Sequence, residues 1–359
     1  MRFLRRITPD LPLETVADVL AEEYGLDGDL TPFESERDQN VRVDTAERSY
    51  LFKIFNANED QAVIDFQIEG LRHIQRVDPA VPVPRTLPTL TGAATGRVVR
   101  PDGTSHTVCL MSFLEGVIAG TRPEFDTPAF RRNTGAMLAR LDRALRGFFH
   151  PASGQDHPWD MSRLPRLLEY TRYIENDSAR RSVVSILCQI RDHTLPACVS
   201  LRHQVIHQDG HTWNLVVDPE DPAEISGIID FGDMVYGPLI NELAVAAYLS
   251  GRADPSPETL VDIAVGYDSV MSLERGDVEV LFDLVLGRMA MNLIISESRA
   301  ALFSDEPSHE SDREVLWERI EGALEVASDV EDSIRRTLGF PSPAYGESTS
   351  ELRSRRVAG

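Results

Sequence analysis

Between long helical patterns the chain is interrupted once, by two short apolar runs ending in polar strings: HQVIHQDGHTWNLVVD at 203–218 and ISGIIDFGD at 225–233. No other feature constrains the fold as much. The runs are β-branched and too short for helices, so they read as a small hairpin with polar tips set into a helical body. That body begins after Glu115 and carries PAFRRNTGAMLARLDRALRGF, SRLPRLLEYTRYIE, SARRSVVSILCQIRDHTL, PETLVDIAVGYDSVM, DVEVLFDLVLGRMAMNLIISESRAAL and REVLWERIEGALEVASDVEDSIRRTL.

Upstream of Glu115 the pattern is different. LETVADVLAEEY at 13–24 is amphipathic and helical, and the glycines of GLDGDL follow it where a C-cap belongs. NVRV, YLFKIF, GRVVR and HTVCLM read as strands, EDQAVIDFQIEGLRHIQR as a helix, and PAVPVPRTLP as a connection that cannot be helical. The expected architecture is α+β in two lobes: a β-rich lobe over 1–111, a hinge at 112–116 and a helical lobe over 117–345. An acidic loop, FSDEPSHESDRE, and a frayed tail over 346–359 complete it. A cleft between two such lobes is a common ligand site.

Composition narrows the functions. A net charge of −22 opposes general affinity for nucleic acid or anionic membrane, and it suits a cationic, amine-bearing ligand. The three cysteines have no C-x-x-C spacing, so they predict neither a disulfide framework nor a zinc site. The longest apolar stretch, VLFDLVLGRMAMNLIIS, is broken by Asp283, Arg288 and Asn292 and reads as a buried helix rather than a membrane span. With no signal-peptide pattern at the N-terminus, the expected location is cytoplasmic.

The first polar string reads H-x-D-x-x-x-x-N, from His207 through Asp209 to Asn214, and the second holds D-F-G from Asp230. Phosphoryl transfer needs such a set: one carboxylate to orient an acceptor hydroxyl, then an amide oxygen and a second carboxylate to hold Mg²⁺. Either string alone could be a hairpin cap; both in this order follow the catalytic loop and D-F-G pattern of protein kinases. Such sites also need a cation on a strand of the small lobe. Lys53 is the only lysine among 36 basic residues, which points to a demand for a compact ammonium rather than for charge in general.

The segments YLFKIF, VPVPRTLPT, LARLDRALRGFFHPA, VIHQDGHTWNLVVD and GIIDFGDMVYGPLINELAVAAYL resemble the aminoglycoside phosphotransferase/choline kinase superfamily, and within it the hydroxylysine-kinase branch. The resemblance runs from about Pro12 to the end of the helical lobe and implies a two-lobed, protein-kinase-like fold. It implies a kinase using ATP or GTP with Mg²⁺ on a small amine-bearing alcohol, 5-hydroxylysine or a similar hydroxy amino acid first. Homoserine, choline or ethanolamine, an aminoglycoside, or a nucleotide-binding pseudokinase are the other readings, and the oligomeric state is left open.

By the same resemblance, Asp209 is the catalytic aspartate, Lys53 binds the nucleotide phosphates, Asn214 and Asp230 ligate Mg²⁺, and His207 supports the catalytic loop. The Ser112 carbonyl and the Leu114 amide would bind the nucleotide base, and the loop ESERDQN, with Asp38 to Asn40, would cover the phosphates. The family's small-lobe helix normally offers a Glu to the lysine. Here Gln67 stands at that position, so either Gln67 orients Lys53 or Asp65 or Glu69 takes over. Candidate acceptor residues are His211, Trp213, Asp233, Tyr236 and Glu242, with a loop-bracing role open for Glu242. Asp142, where many members carry His, reads as structural.

Overall fold

The computed structural model describes residues 8–33, 35, 37–249, 257–303 and 310–341. The core of the expected acidic loop, 304–309, and the tail 346–359 lie outside these residues.

Helix α1 (Leu13–Val19) runs on through a wider turn to Tyr24, and Gly25 closes it at a φ of 65°. Glycine takes this left-handed cap without steric cost. After it come β1 (Asp29–Phe33), β2 (Gln39–Asp44), β3 (Ser49–Ile54), α2 (Gln61–Val77), β4 (Thr86–Leu87), β5 (Gly96–Val99) and β6 (Ser105–Ser112). The strands form one antiparallel sheet, β1-β2-β3-β6-β4, with β5 also paired to β6. Strand β1 departs from the expectation drawn from sequence. It contains Pro32, which weakens the strand signal but is tolerated at a sheet edge.

Strand β3 separates two environments by its period of two. Phe52 and Ile54 pack beneath α1 with Val41, Val43, Val108 and Leu110. Leu51, Lys53 and Phe55 alternate with them and face α2 and the helical lobe. Helix α2 is N-capped by Asp60, which accepts from the Ala62 amide at 2.9 Å, and it buries Ile64, Phe66, Gln67 and Leu71. At Gly70 a Cβ would come within 2.6 Å of the Met234 methyl, so glycine lets α2 lie against the segment after D-F-G.

The second lobe contains β7 (Val117–Ile118), α3 (Pro128–Leu145), α4 (Asp177–Gln189), α5 (Leu195–Cys198), β8 (His203–Ile206), β9 (Leu215–Val217), β10 (Ile225–Ile228) and β11 (Val235–Pro238). Helices α6 (Ile240–Leu249), α7 (Pro257–Asp268), α8 (Arg275–Leu302), α9 (Glu310–Glu325) and α10 (Ala327–Thr337) complete it. The predicted hairpin is in fact part of two ladders: β10-β9-β7, and β11 with β8. Each polar string therefore crosses from one ladder to the other, 207–214 between β8 and β9 and 229–234 between β10 and β11. That double crossing sets the two strings side by side.

Two helical expectations are modified. Met161–Tyr173 winds as 3₁₀ turns, with Pro165 inside, whose missing N–H removes an α-helical bond. The last long pattern breaks at Val326 into α9 and α10. Helices α3 and α7 cross closely enough that a Cβ at Gly135 would strike the Ile263 carbonyl, and one at Gly266 the Arg132 carbonyl. The cysteines are all free, with Cys109 and Cys198 buried as core residues. Among the described residues no helix is long and apolar enough to cross a membrane.

Candidate active site

Lys53 sits at the centre of the sheet, opposite Asn40 on β2 and Cys109 on β6. Its ammonium pairs with Asp38 at 2.9 Å, and it is 9% exposed. Burial opposes the charge, but the Asp38 carboxylate and, behind it, Asp230 hold the pKa above the ordinary lysine value. Asp38 is thus the partner that the helix was expected to supply. Gln67 is buried on α2 without a bond to Lys53, Asp65 accepts from Gln61 at 2.9 Å, and the Glu69 side chain is 59% exposed, 3.9 Å from His150.

Asp209 is held from three sides. Arg288 donates from Nη2 to Oδ1 at 2.8 Å, Asn214 from Nδ2 to Oδ2 at 2.6 Å, and His211 Nε2 lies 3.3 Å from Oδ1. His211 Nδ1 accepts the Trp213 amide at 3.3 Å, which leaves the Nε2 proton for Asp209. Burial favours the neutral acid, but His211 and Arg288 outweigh it and hold this carboxyl well below the usual carboxylate range. Asn214 also donates to the Asp209 carbonyl at 2.9 Å. With its NH₂ committed twice, its amide oxygen is the free end, and it accepts no hydrogen bond among the described residues.

His207 ties the two strings together. Nδ1 accepts the Asp209 amide at 3.2 Å, Nε2 donates to the Ile229 carbonyl at 3.1 Å, and the ring meets Phe231 edge-on at 4.6 Å. Burial lowers its pKa and keeps it neutral, as both bonds require. Next to it, Gln208 adopts a left-handed φ of 59°, uncommon for a residue with a Cβ. Two bonds fix that conformation: its amide donates to Glu242 Oε1 at 2.7 Å, and its side chain to the Trp159 carbonyl at 3.1 Å. Glu242 is fully buried, and burial pushes its pKa up to about 7 against the pull of the amides it accepts. Behind it, Asp142 accepts the Tyr267 hydroxyl at 2.6 Å; burial and then Glu242 raise its pKa.

Asp230 is left-handed as well, with φ of 63°, and accepts the Gly232 amide at 3.2 Å. Arg37, from the loop before β2, reaches over Gly232 to Asp233 at 2.7 Å; a Cβ on Gly232 would stand 2.7 Å from its Nη2. Lys53, Asp38, Asp209, His211, Asp230 and Asp233 all line one cavity between the sheet and the helices. Asn214 and Asp230 present oxygen donors, the type a hard divalent cation prefers, and two protein oxygens plus phosphate is a usual set for Mg²⁺. The residues present therefore fit such an ion.

The remaining predicted residues lie elsewhere. Asn40 adjoins Lys53 with its amide oxygen buried and, among the described residues, without a hydrogen-bond partner. Ser112 ends β6, its hydroxyl accepting the Arg85 amide at 2.9 Å, and the Leu114 amide donates to no backbone carbonyl among the described residues. Glu242 braces the loop from behind and does not face the cavity. Trp213 lodges against Gly120, and Tyr236 is exposed on β11, stacked on His203 at 6.0 Å. Four cavity residues are absent from the sequence-based set, Trp159, Tyr248, Arg288 and Asn292, and Arg37 was named there only as part of the loop ESERDQN. Arg288 did carry a signal, a charge inside an apolar helix.

The model of the phosphotransferase enzyme family matches residues 29–277. Hydroxylysine kinase of Danio rerio is 27% identical over 300 residues, spanning 80% of this chain and 84% of the relative. A microcompartment-associated aminopropanol kinase superposes with a TM-score of 0.65 at 19% identity, covering 91% of this chain and 98% of that one. Amicoumacin kinase in complex with AMP-PNP, Ca²⁺ and Ami superposes with a TM-score of 0.65 at 15% identity, covering 94% and 96%. These likenesses show a two-lobed, protein-kinase-like fold. The chain is a small-molecule kinase and belongs to the phosphotransferase enzyme family.

Proposed function

We propose that the protein transfers the γ-phosphoryl group of ATP or GTP to the hydroxyl of a small amine-bearing alcohol, with 5-hydroxylysine or a similar hydroxy amino acid as first acceptor. The observation that carries this reading is the convergence of Lys53, Asp209 and Asp230 on one cavity, with Asn214 bonded to Asp209. Lys53 holds the nucleotide phosphates, and Asp38 keeps its ammonium charged and aimed. Asn214 and Asp230 hold Mg²⁺, which when bound offsets negative charge on the phosphates.

Asp209 receives the acceptor hydroxyl. A carboxylate held well below the usual range is a weak base, so its main work is orientation. Little more is required, because phosphoryl transfer has a loose transition state in which the nucleophile's proton leaves late. As the acceptor oxygen bonds to the γ-phosphorus, the bond to the β-phosphate oxygen breaks, and the hydroxyl proton passes to Asp209 and then to solvent. The Ser112 carbonyl and Leu114 amide serve the base, and Asp233 the acceptor's ammonium.

A coupled nucleotide assay over hydroxy amino acids, amino alcohols and aminoglycosides tests the proposal. Asp209→Asn should lose about 10³-fold in kcat/KM with its fold intact. Turnover near wild type in that variant would overturn it.

A further inference from the structure

On the helical side, the cavity is walled by Trp159, Tyr248, Arg288 and Asn292. Arg288 is only 4% exposed, and few of its donors are used. Among the described residues Nη2 donates to Asp209 at 2.8 Å, Nη1 meets only the Met291 sulfur at 3.7 Å, and Nε is buried with no hydrogen-bond partner. A buried guanidinium leaves donors open at a cost, and natural sites usually satisfy them. The Trp159 and Tyr248 rings lie 4.8 and 5.9 Å from its Cζ and hold its plane, so the group is placed rather than loose. Asn292, four residues on and hence on the same helical face, also lines the cavity, and among the described residues its amide makes no hydrogen bond.

We propose that Arg288 and Asn292 form an anion subsite that takes a carboxylate on the phosphate acceptor. Because Nη2 shares Asp209 with the acceptor hydroxyl, a ligand of the remaining donors sits on the same small molecule. A planar fork with open N–H groups matches a carboxylate, and an amide beside it can donate to the same oxygens. At another part of the wall Asp233, paired with Arg37, offers the opposite charge. With Asp233 as the ammonium's partner, the subsite suits a zwitterionic acceptor; an amino alcohol without a carboxylate would leave Arg288 as unsatisfied as it is here. The inference rests on the kinase reading and names its specificity determinant.

The test uses the full chain with three acceptors: 5-hydroxylysine, its carboxamide, and the amino alcohol made by removing its carboxylate. Transfer is measured as kcat/KM, and binding by calorimetry without nucleotide. Wild type should favour the carboxylate by about 30-fold in both. Arg288→Gln, which also loosens Asp209 and so lowers turnover of every acceptor, should bring that ratio to near unity in binding as well as transfer. Asn292→Ala, which does not touch Asp209, should reduce it in part. Equal use of all three acceptors by wild type, or binding of none, would overturn the subsite whatever the variants do. So would an Arg288→Gln variant that loses transfer equally for every acceptor and keeps the wild-type preference in binding, since that would leave Arg288 as a support of Asp209 alone. Carboxylate-selective binding without transfer would keep the subsite and refute the kinase reading; transfer without selectivity would do the reverse.

Discussion

A buried ammonium persists only beside a charge that offsets its lost hydration, and for Lys53 this is Asp38 at 2.9 Å. Because the pair depends on β2 and β3 lying side by side, the geometry of the cation is a property of the sheet. Lys53→Arg keeps the charge but not the compact shape, and kcat/KM should fall by more than about 100-fold in the nucleotide assay. Asp38→Ala should raise the nucleotide KM by about 10-fold, while Gln67→Ala should leave it within about 2-fold. Glu242 predicts a pH effect of definite sign. Folding raises its pKa from the ordinary 4.5 to about 7, so in that interval the native protein holds a proton that the unfolded chain has released. Its contribution is complete below pH 4.5 and is lost as pH rises through about 7. Thermal melts of wild type and Glu242→Gln across that window should differ in slope, the variant losing roughly 5 °C less.

At the level of elements, the site results from two short ladders exchanging strands, so that HQDGHTWN and DFGD cross between them side by side. Each string is contiguous, which is why its chemistry could be read directly from sequence. The partners of those strings could not. Arg288 reaches Asp209 from 79 positions along the chain, and Asp38 meets Lys53 only through the register of β2 on β3. Strand β1 was hidden by Pro32, and the 3₁₀ character of 161–173 by a periodicity that resembles an α-helix. The α3–α7 crossing depends on Gly135 and Gly266, because backbone lies where a Cβ would go. Gly266→Ala should destabilise the protein by about 1–3 kcal/mol, visible as a shifted denaturant midpoint, and should weaken the Asp142–Tyr267 contact across the same interface.

For the whole molecule, one core runs without interruption from α2 through α3, α6 and α8, while a second is confined beneath α1. The loop before β2 reaches the helical lobe through Arg37 on Asp233. The Arg37 side chain is 40% exposed, and such pairs contribute only about 0–1 kcal/mol to stability. Arg37→Ala should therefore leave the melting temperature nearly unchanged yet raise the nucleotide KM by about 10-fold, since it withdraws a cation from the cavity. The arrangement around Lys53 reaches beyond catalysis. Apart from its α-amino group the chain has one primary amine, and folding keeps that amine protonated and out of water. Acylating reagents and lysine-directed cross-linkers would reach the α-amino group at any time but Lys53 only when the sheet opens, so the label at that one side chain would serve as a clock for unfolding.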